Sequence, residues 1–168
     1  MQTPKHLLQI AILGLVLCTL ALSCGPRASH PDIRVGSPIP EFELPALQGE
    51  KVTSSSYLGR PVVLNFWATW CGPCVKEIPT LKTLDKESKA QVVTIALDNQ
   101  GASIVQPFVD QHDIDYTVLL GDEELFKRFN GWAIPYTLVL DSSLQIVSLH
   151  RGYVSLRTLE RNLRRAES

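Results

Sequence analysis

The chain has 168 residues, 45% of them hydrophobic and 20% charged, and a formal charge of −1. The near-neutral charge removes any electrostatic case for nucleic-acid binding. The composition is that of one ordinary folded domain with extra sequence at an end, large enough to fold without disulfide staples.

Lys5 and His6 give a short, weakly basic start. Leu7 to Cys24 is then uncharged and polar only at Gln9, Thr19 and Ser23. This reads as the h-region of an export signal over residues 1–23, which places the domain outside the cytoplasmic membrane. Such a run is also just long enough to span a bilayer as an uncleaved anchor. It ends Leu20-Ala21-Leu22-Ser23-Cys24-Gly25. A small residue directly before a cysteine resembles the bacterial lipobox, whose cysteine becomes the lipid-bearing mature N-terminus. Ala21 stands where that signal usually has Leu. Lipidation at Cys24 is the preferred reading, beside an uncleaved anchor and plain cleavage. Two lipid signals anchor firmly where one chain holds weakly.

Residues 24–35, rich in Gly, Pro, Ser and His, read as a tether, and residues 36–168 as the domain. Phe42 and Leu44 alternate with Glu41 and Glu43, a strand pattern, and the turn Gln48-Gly49-Glu50 leads to a second short strand near Val52. Pro61–Trp67 is an apolar β-prone run suited to a central strand covered on both faces. A helix is expected from Gly72 to Ser88, with Pro79 kinking it. A buried strand follows at Gln91–Leu97. Ser103 suits the cap of a helix reaching His112. A short strand at Tyr116–Leu120 and a short helix at Glu123–Phe129, acidic first and basic last, come next. Strands at Tyr136–Leu140 and Gln145–His150 flank the turn Asp141-Ser142-Ser143. Ser155 is read as the cap of a last helix, apolar along Leu156, Leu159 and Leu163. The order predicts an α/β fold: a central mixed sheet flanked by helices, with an N-terminal β-hairpin.

With Cys18 inside the signal and Cys24 at its end, Cys71 and Cys74 are the cysteines left to the domain. A structural disulfide framework needs more of them, more widely spaced. A Cys-x-x-Cys pair after a buried strand and opening a helix is a redox site, because free amides and the helix dipole favour a thiolate there. Cys71, expected to be the more exposed, attacks a substrate disulfide; Cys74, one turn in, resolves the mixed disulfide. Gly72 allows the tight turn and Pro73 suits a helix start. Half a zinc site is the competing reading. Zinc takes four ligands, and His112 and His150 stand alone without ligand spacing. No metal or cofactor is expected.

Phe66-Trp67-Ala68-Thr69-Trp70-Cys71-Gly72-Pro73-Cys74 resembles the thioredoxin active site. The wider pattern resembles the membrane-anchored TlpA/ResA-like thiol–disulfide oxidoreductases. It includes Gly36-Ser37-Pro38, Leu58-Gly59-Arg60-Pro61, Glu77-Ile78-Pro79, Ile134-Pro135 and Gly152, and covers residues 36–165. A thiol peroxidase would ask for Pro where Trp67 stands, although Thr69 is present.

The resemblance implies a thioredoxin-like fold and several roles. Pro135 matches the family's cis-proline, against an ordinary trans proline as the plain alternative. The backbone at Ile134 pairs with an extended substrate, and Trp70 flanks the site. Trp67 belongs to the core; Trp132 suits either place. Glu77 matches an active-site glutamate able to exchange a proton with Cys74, against a solvated helix glutamate. Asn65 stands where thioredoxin has a buried aspartate, so proton handling falls to Glu77, water or another group. The turn after Asp141 lacks the family's usual glycine. The implied clients are exported protein disulfides, among them apocytochrome c cysteines, and the implied electron donor is a membrane thiol transporter. The Gly-Pro dipeptide favours a reductase; an oxidase or isomerase, and a peptide-binding lipoprotein module, are the alternatives.

Overall fold

The computed structural model describes residues 32–87 and 90–167. The expected export signal (residues 1–23), Cys24 and most of the expected tether lie outside them. Among the described residues no helix is long and apolar enough to cross a membrane.

The central strand, β3 (Val62–Trp67), is buried at every position, as a run apolar on both faces requires. It pairs in parallel with β4 (Gln91–Ala96) and antiparallel with β6 (Tyr136–Leu140). Beyond these lie β5 (Thr117–Leu120), parallel to β4, and β7 (Ile146–Arg151), antiparallel to β6. The five-stranded sheet has the order β5-β4-β3-β6-β7. The N-terminal hairpin pairs β1 (Glu43–Pro45) with β2 (Lys51–Thr53). This is the mixed, thioredoxin-like α/β architecture that the sequence predicts.

The period of two along the strands divides the core. Val63, Trp67, Val92, Ala96 and Val139 face one cluster, closed by α1 (Gly72–Lys86), α2 (Ala102–Gln111) and α4 (Leu156–Ala166). Val62, Leu64, Phe66, Val93, Leu138 and Leu140 face the other, with Phe42 and α3 (Glu123–Arg128). Ile33 packs into this second cluster.

Two expected helix caps change. Helix α2 starts from Gly101 (φ 58°), not from a Ser103 cap; the Ser103 hydroxyl donates to the Gln100 carbonyl instead. Ser155 does stand at the start of α4, but its hydroxyl bonds the Thr158 hydroxyl rather than a free amide. Helix α3 is capped by Asp122, whose carboxylate accepts from Leu125 N–H at 2.7 Å. At the turn without glycine, Leu144 takes the left-handed conformation itself (φ 61°) while its side chain is buried. Burial of the side chain offsets the steric cost that glycine would avoid.

Candidate active site

Strand β3 delivers the chain to the site. After Trp67, a residue of the core, the segment Ala68-Thr69-Trp70 leads into Cys71 at the N-terminus of α1. That segment is held from β4's end. Asp98, buried, accepts from Thr69 N–H at 3.1 and 3.3 Å and from the Thr69 hydroxyl at 2.6 Å. Asp98 carries no sequence signal, because its partner is far away in the chain. Asp98→Ala leaves the Thr69 N–H and hydroxyl without an acceptor and should cost about 2–3 kcal/mol. Urea unfolding of the oxidised protein checks this; Asp98→Asn should recover part of the loss.

Cys71 caps α1, with Pro73 in the first turn. The Cys74 N–H donates to Cys71 Sγ at 3.2 Å. Cys71 and Cys74 form a disulfide. An amide aimed at a cysteine sulfur favours the thiolate form of that sulfur over its thiol. Both cysteines are buried, Cys71 at 5% and Cys74 at 4% exposure. Exposure therefore does not separate them in the oxidised form, contrary to expectation, because both sulfurs pack into the cluster of Ala68, Ile78 and Val154. Trp70, Gly72 and Pro73 around them are exposed.

Glu77 is 1% exposed, not a solvated helix residue. It lies one turn beyond Cys74 on α1. Burial pushes its carboxyl up to about 7, against hydrogen bonds from the Thr137 hydroxyl and the Val154 backbone that favour the charged form. Thr137 Oγ1 donates to Glu77 Oε1 at 3.2 Å, and Asn65 Nδ2 donates to Thr137 Oγ1 at 2.9 Å. Among the described residues, Glu77 Oε2 is buried with no hydrogen-bond partner. Thr137 was not singled out by sequence; the inward register of β6 is its one signal.

The Ile134–Pro135 peptide bond is cis. Ile134 packs on both core clusters, one of which contains the cysteines. Gly131 brings this loop against Phe126, whose ring a Cβ on Gly131 would strike. A cleft of about 280 Å³ opens between Trp70 and the loop, lined by Leu97, Phe126, Trp132 and Ile134, with Asn99 and Glu123 as polar members. Trp132, like Trp70, is largely exposed, at 74% and 73%. The Arg151 guanidinium lies 5.4 Å from the Trp132 ring centre and 4.7 Å from that of Tyr136. A larger cavity of about 600 Å³, lined by Phe42, Arg128 and Leu144 among others, contains none of these groups.

The AhpC/TSA family profile matches residues 35–148. The thioredoxin-like protein YneN of Bacillus subtilis is 32% identical over 135 residues, covering 78% of this chain and 79% of that protein. The thiol–disulfide oxidoreductase ResA of Bacillus thuringiensis is 30% identical and covers 98% of each chain. A crystal structure of a putative thiol:disulfide interchange protein DsbE from Chlorobium tepidum superposes with a TM-score of 0.73 at 27% identity, covering 80% of this chain and 99% of that one.

Proposed function

The chain belongs to the AhpC/TSA family and is a thiol–disulfide oxidoreductase similar to ResA, and on that premise we propose that it works as a reductase of disulfides in exported proteins. The observation that carries the dithiol exchange is the Cys71 sulfur capping α1 and accepting from the Cys74 N–H, the arrangement that stabilises an attacking thiolate; the reducing direction is supported by the thioredoxin-like Gly72-Pro73 dipeptide between the cysteines.

The chemistry then runs in two exchanges. Cys71 thiolate attacks one sulfur of the substrate disulfide. The substrate S–S bond breaks, a Cys71–substrate disulfide forms, and one substrate thiolate leaves. Cys74 gives its proton to Glu77 and attacks Cys71 Sγ. The Cys71–Cys74 disulfide forms and the second substrate thiolate leaves, taking the proton back from Glu77. Two electrons pass from the dithiol to the substrate, and an external dithiol restores the pair. In an oxidising compartment that donor is a membrane thiol carrier.

Trp70, Gly72 and Pro73 on one side, and Ile134 and Pro135 on the other, form the surface for an extended substrate segment. The cleft between Trp70 and Trp132 extends that surface. An apolar N-terminal run ending at Cys24 supports export with a lipid anchor at Cys24. Apocytochrome c cysteines are the proposed clients, by the resemblance to TlpA/ResA-like proteins. The test is direct: the reduced protein is added to a protein disulfide and the thiols released on the substrate are counted. About one substrate disulfide opened per Cys71–Cys74 pair oxidised supports the reading; an intact substrate overturns it.

A further inference from the structure

Asn65 and Thr137 are direct partners across the β3–β6 ladder. They share the α1 side of the sheet, where Val63, Trp67 and Val139 also point. Asn65 is 2%, Thr137 0% and Glu77 1% exposed, so their hydrogen bonds are shielded from bulk solvent. The Thr137 hydroxyl carries one proton. Because its oxygen accepts from Asn65 Nδ2, that proton is turned towards Glu77 Oε1. The other carboxyl oxygen, Oε2, is buried and has no hydrogen-bond partner among the described residues.

We propose that Asn65 and Thr137 are positioning residues for the thiol chemistry: Asn65 directs the Thr137 hydroxyl onto Glu77 Oε1, and this assigns Oε2 as the oxygen that takes and returns the proton. The inference rests on the reading of Glu77 as the proton carrier for Cys74. An acceptor-only side chain at position 65 would do the reverse. An aspartate would draw the Thr137 proton to itself, leave the Thr137 oxygen able only to accept from a protonated Glu77, and add a like charge to the same buried network. An amide at position 65 supplies a donor and no charge.

The other groups that act on this network are few. The Val154 backbone, in the segment before α4, also favours the charged form of Glu77. The Tyr116 phenol, before β5, is pushed up by burial first and then by the Glu77 charge, with Asp115 and Asp85 adding to it. Cys74 is the neighbour on α1 itself.

The test follows the Glu77 carboxyl by carbon NMR in the full chain, oxidised so that neither cysteine titrates. Thr137→Val, which keeps the shape and removes the hydroxyl, should raise the Glu77 midpoint by roughly one pH unit. Thr137→Ser should restore it, which a purely structural role would not require. Asn65→Asp should raise it as well. A Thr137→Val midpoint within about 0.3 unit of the parent protein overturns the relay. In a second arm, the pH profile of mixed-disulfide resolution is compared in the same variants. A profile that moves with the carboxyl supports the whole proposal. A carboxyl that moves while the profile stays fixed keeps the relay and overturns Glu77 as the proton carrier.

Discussion

Cys71→Ser should abolish disulfide reduction, with a loss of roughly 10³-fold or more, because the attacking sulfur is gone and no other group in the site replaces it. Cys74→Ser should behave differently. Its Cys71 still attacks, so one substrate thiolate is released, but the mixed disulfide has no resolving partner and accumulates. Mass spectrometry under non-reducing conditions would show the protein carrying the substrate's mass. The geometry gives the asymmetry its cause: the Cys74 N–H points at Cys71 Sγ, so the capping sulfur is the one stabilised as a thiolate. If Cys74→Ser traps nothing while Cys71→Ser does, the two roles are reversed. Cys71→Ser activity equal to the parent's contradicts the dithiol mechanism.

The second large effect is on stability. Glu77 titrates at about 7 in the folded protein and near 4.5 when unfolded, burial being the main cause. Between those values the folded state holds a proton that the unfolded state has lost. Stability is therefore full below pH 4.5, falls as pH rises through 7, and is flat above. The shift corresponds to about 3 kcal/mol over that window. Asp85, raised mainly by burial, acts in the same direction, whereas His150, lowered by burial, favours the folded state as pH rises through its range. Comparing Glu77→Gln with the parent protein cancels those contributions. Glutamine keeps an acceptor for Thr137 and has no charge to bury, so the variant should gain about 2–3 kcal/mol over the parent between pH 5 and pH 8. Urea unfolding of both oxidised proteins at the two pH values measures this. An equal pH dependence in the two proteins would show that Glu77 is not the buried titrating group.

How far the sequence reaches is a matter of distance along the chain. The cysteine pair, the helix it opens and the buried run before it are one continuous segment, Val62 to Cys74, so their pattern is local and legible. Trp67 as core follows from its place at the end of that buried run; Trp70 beside the cysteines is what the resemblance implies. Glu77 was found by resemblance, three residues from Cys74, but its degree of burial was not. The groups that act on its carboxyl, Thr137 and the Val154 backbone, are far from α1 in sequence and meet it only when the sheet is assembled. Asn65 was noticed for what it lacks, a charge; its actual bond, to Thr137, depends on the β3–β6 register. Asp98 and the Trp70–Trp132 cleft escaped for the same reason. Cys71 is no more exposed than Cys74 because the disulfide belongs to the core cluster, which no local pattern around the pair shows. The misplaced start of α2 is a different failure. A serine at a helix start looks like a cap, yet Gly101 with its positive φ turns the chain earlier.

Electron flow is the centre of the account, and the reduction potential of the Cys71–Cys74 pair measures it directly. Thioredoxin lies near −270 mV and the oxidant DsbA near −120 mV, a gap of roughly 7 kcal/mol for two electrons. Equilibration of the protein with a graded dithiothreitol or glutathione couple, read by alkylation and mass, gives the value. A potential of about −220 mV or lower is the predicted result and makes the protein a donor to exported disulfides. A potential well above about −200 mV would contradict the reductase and assign the same site to oxidation.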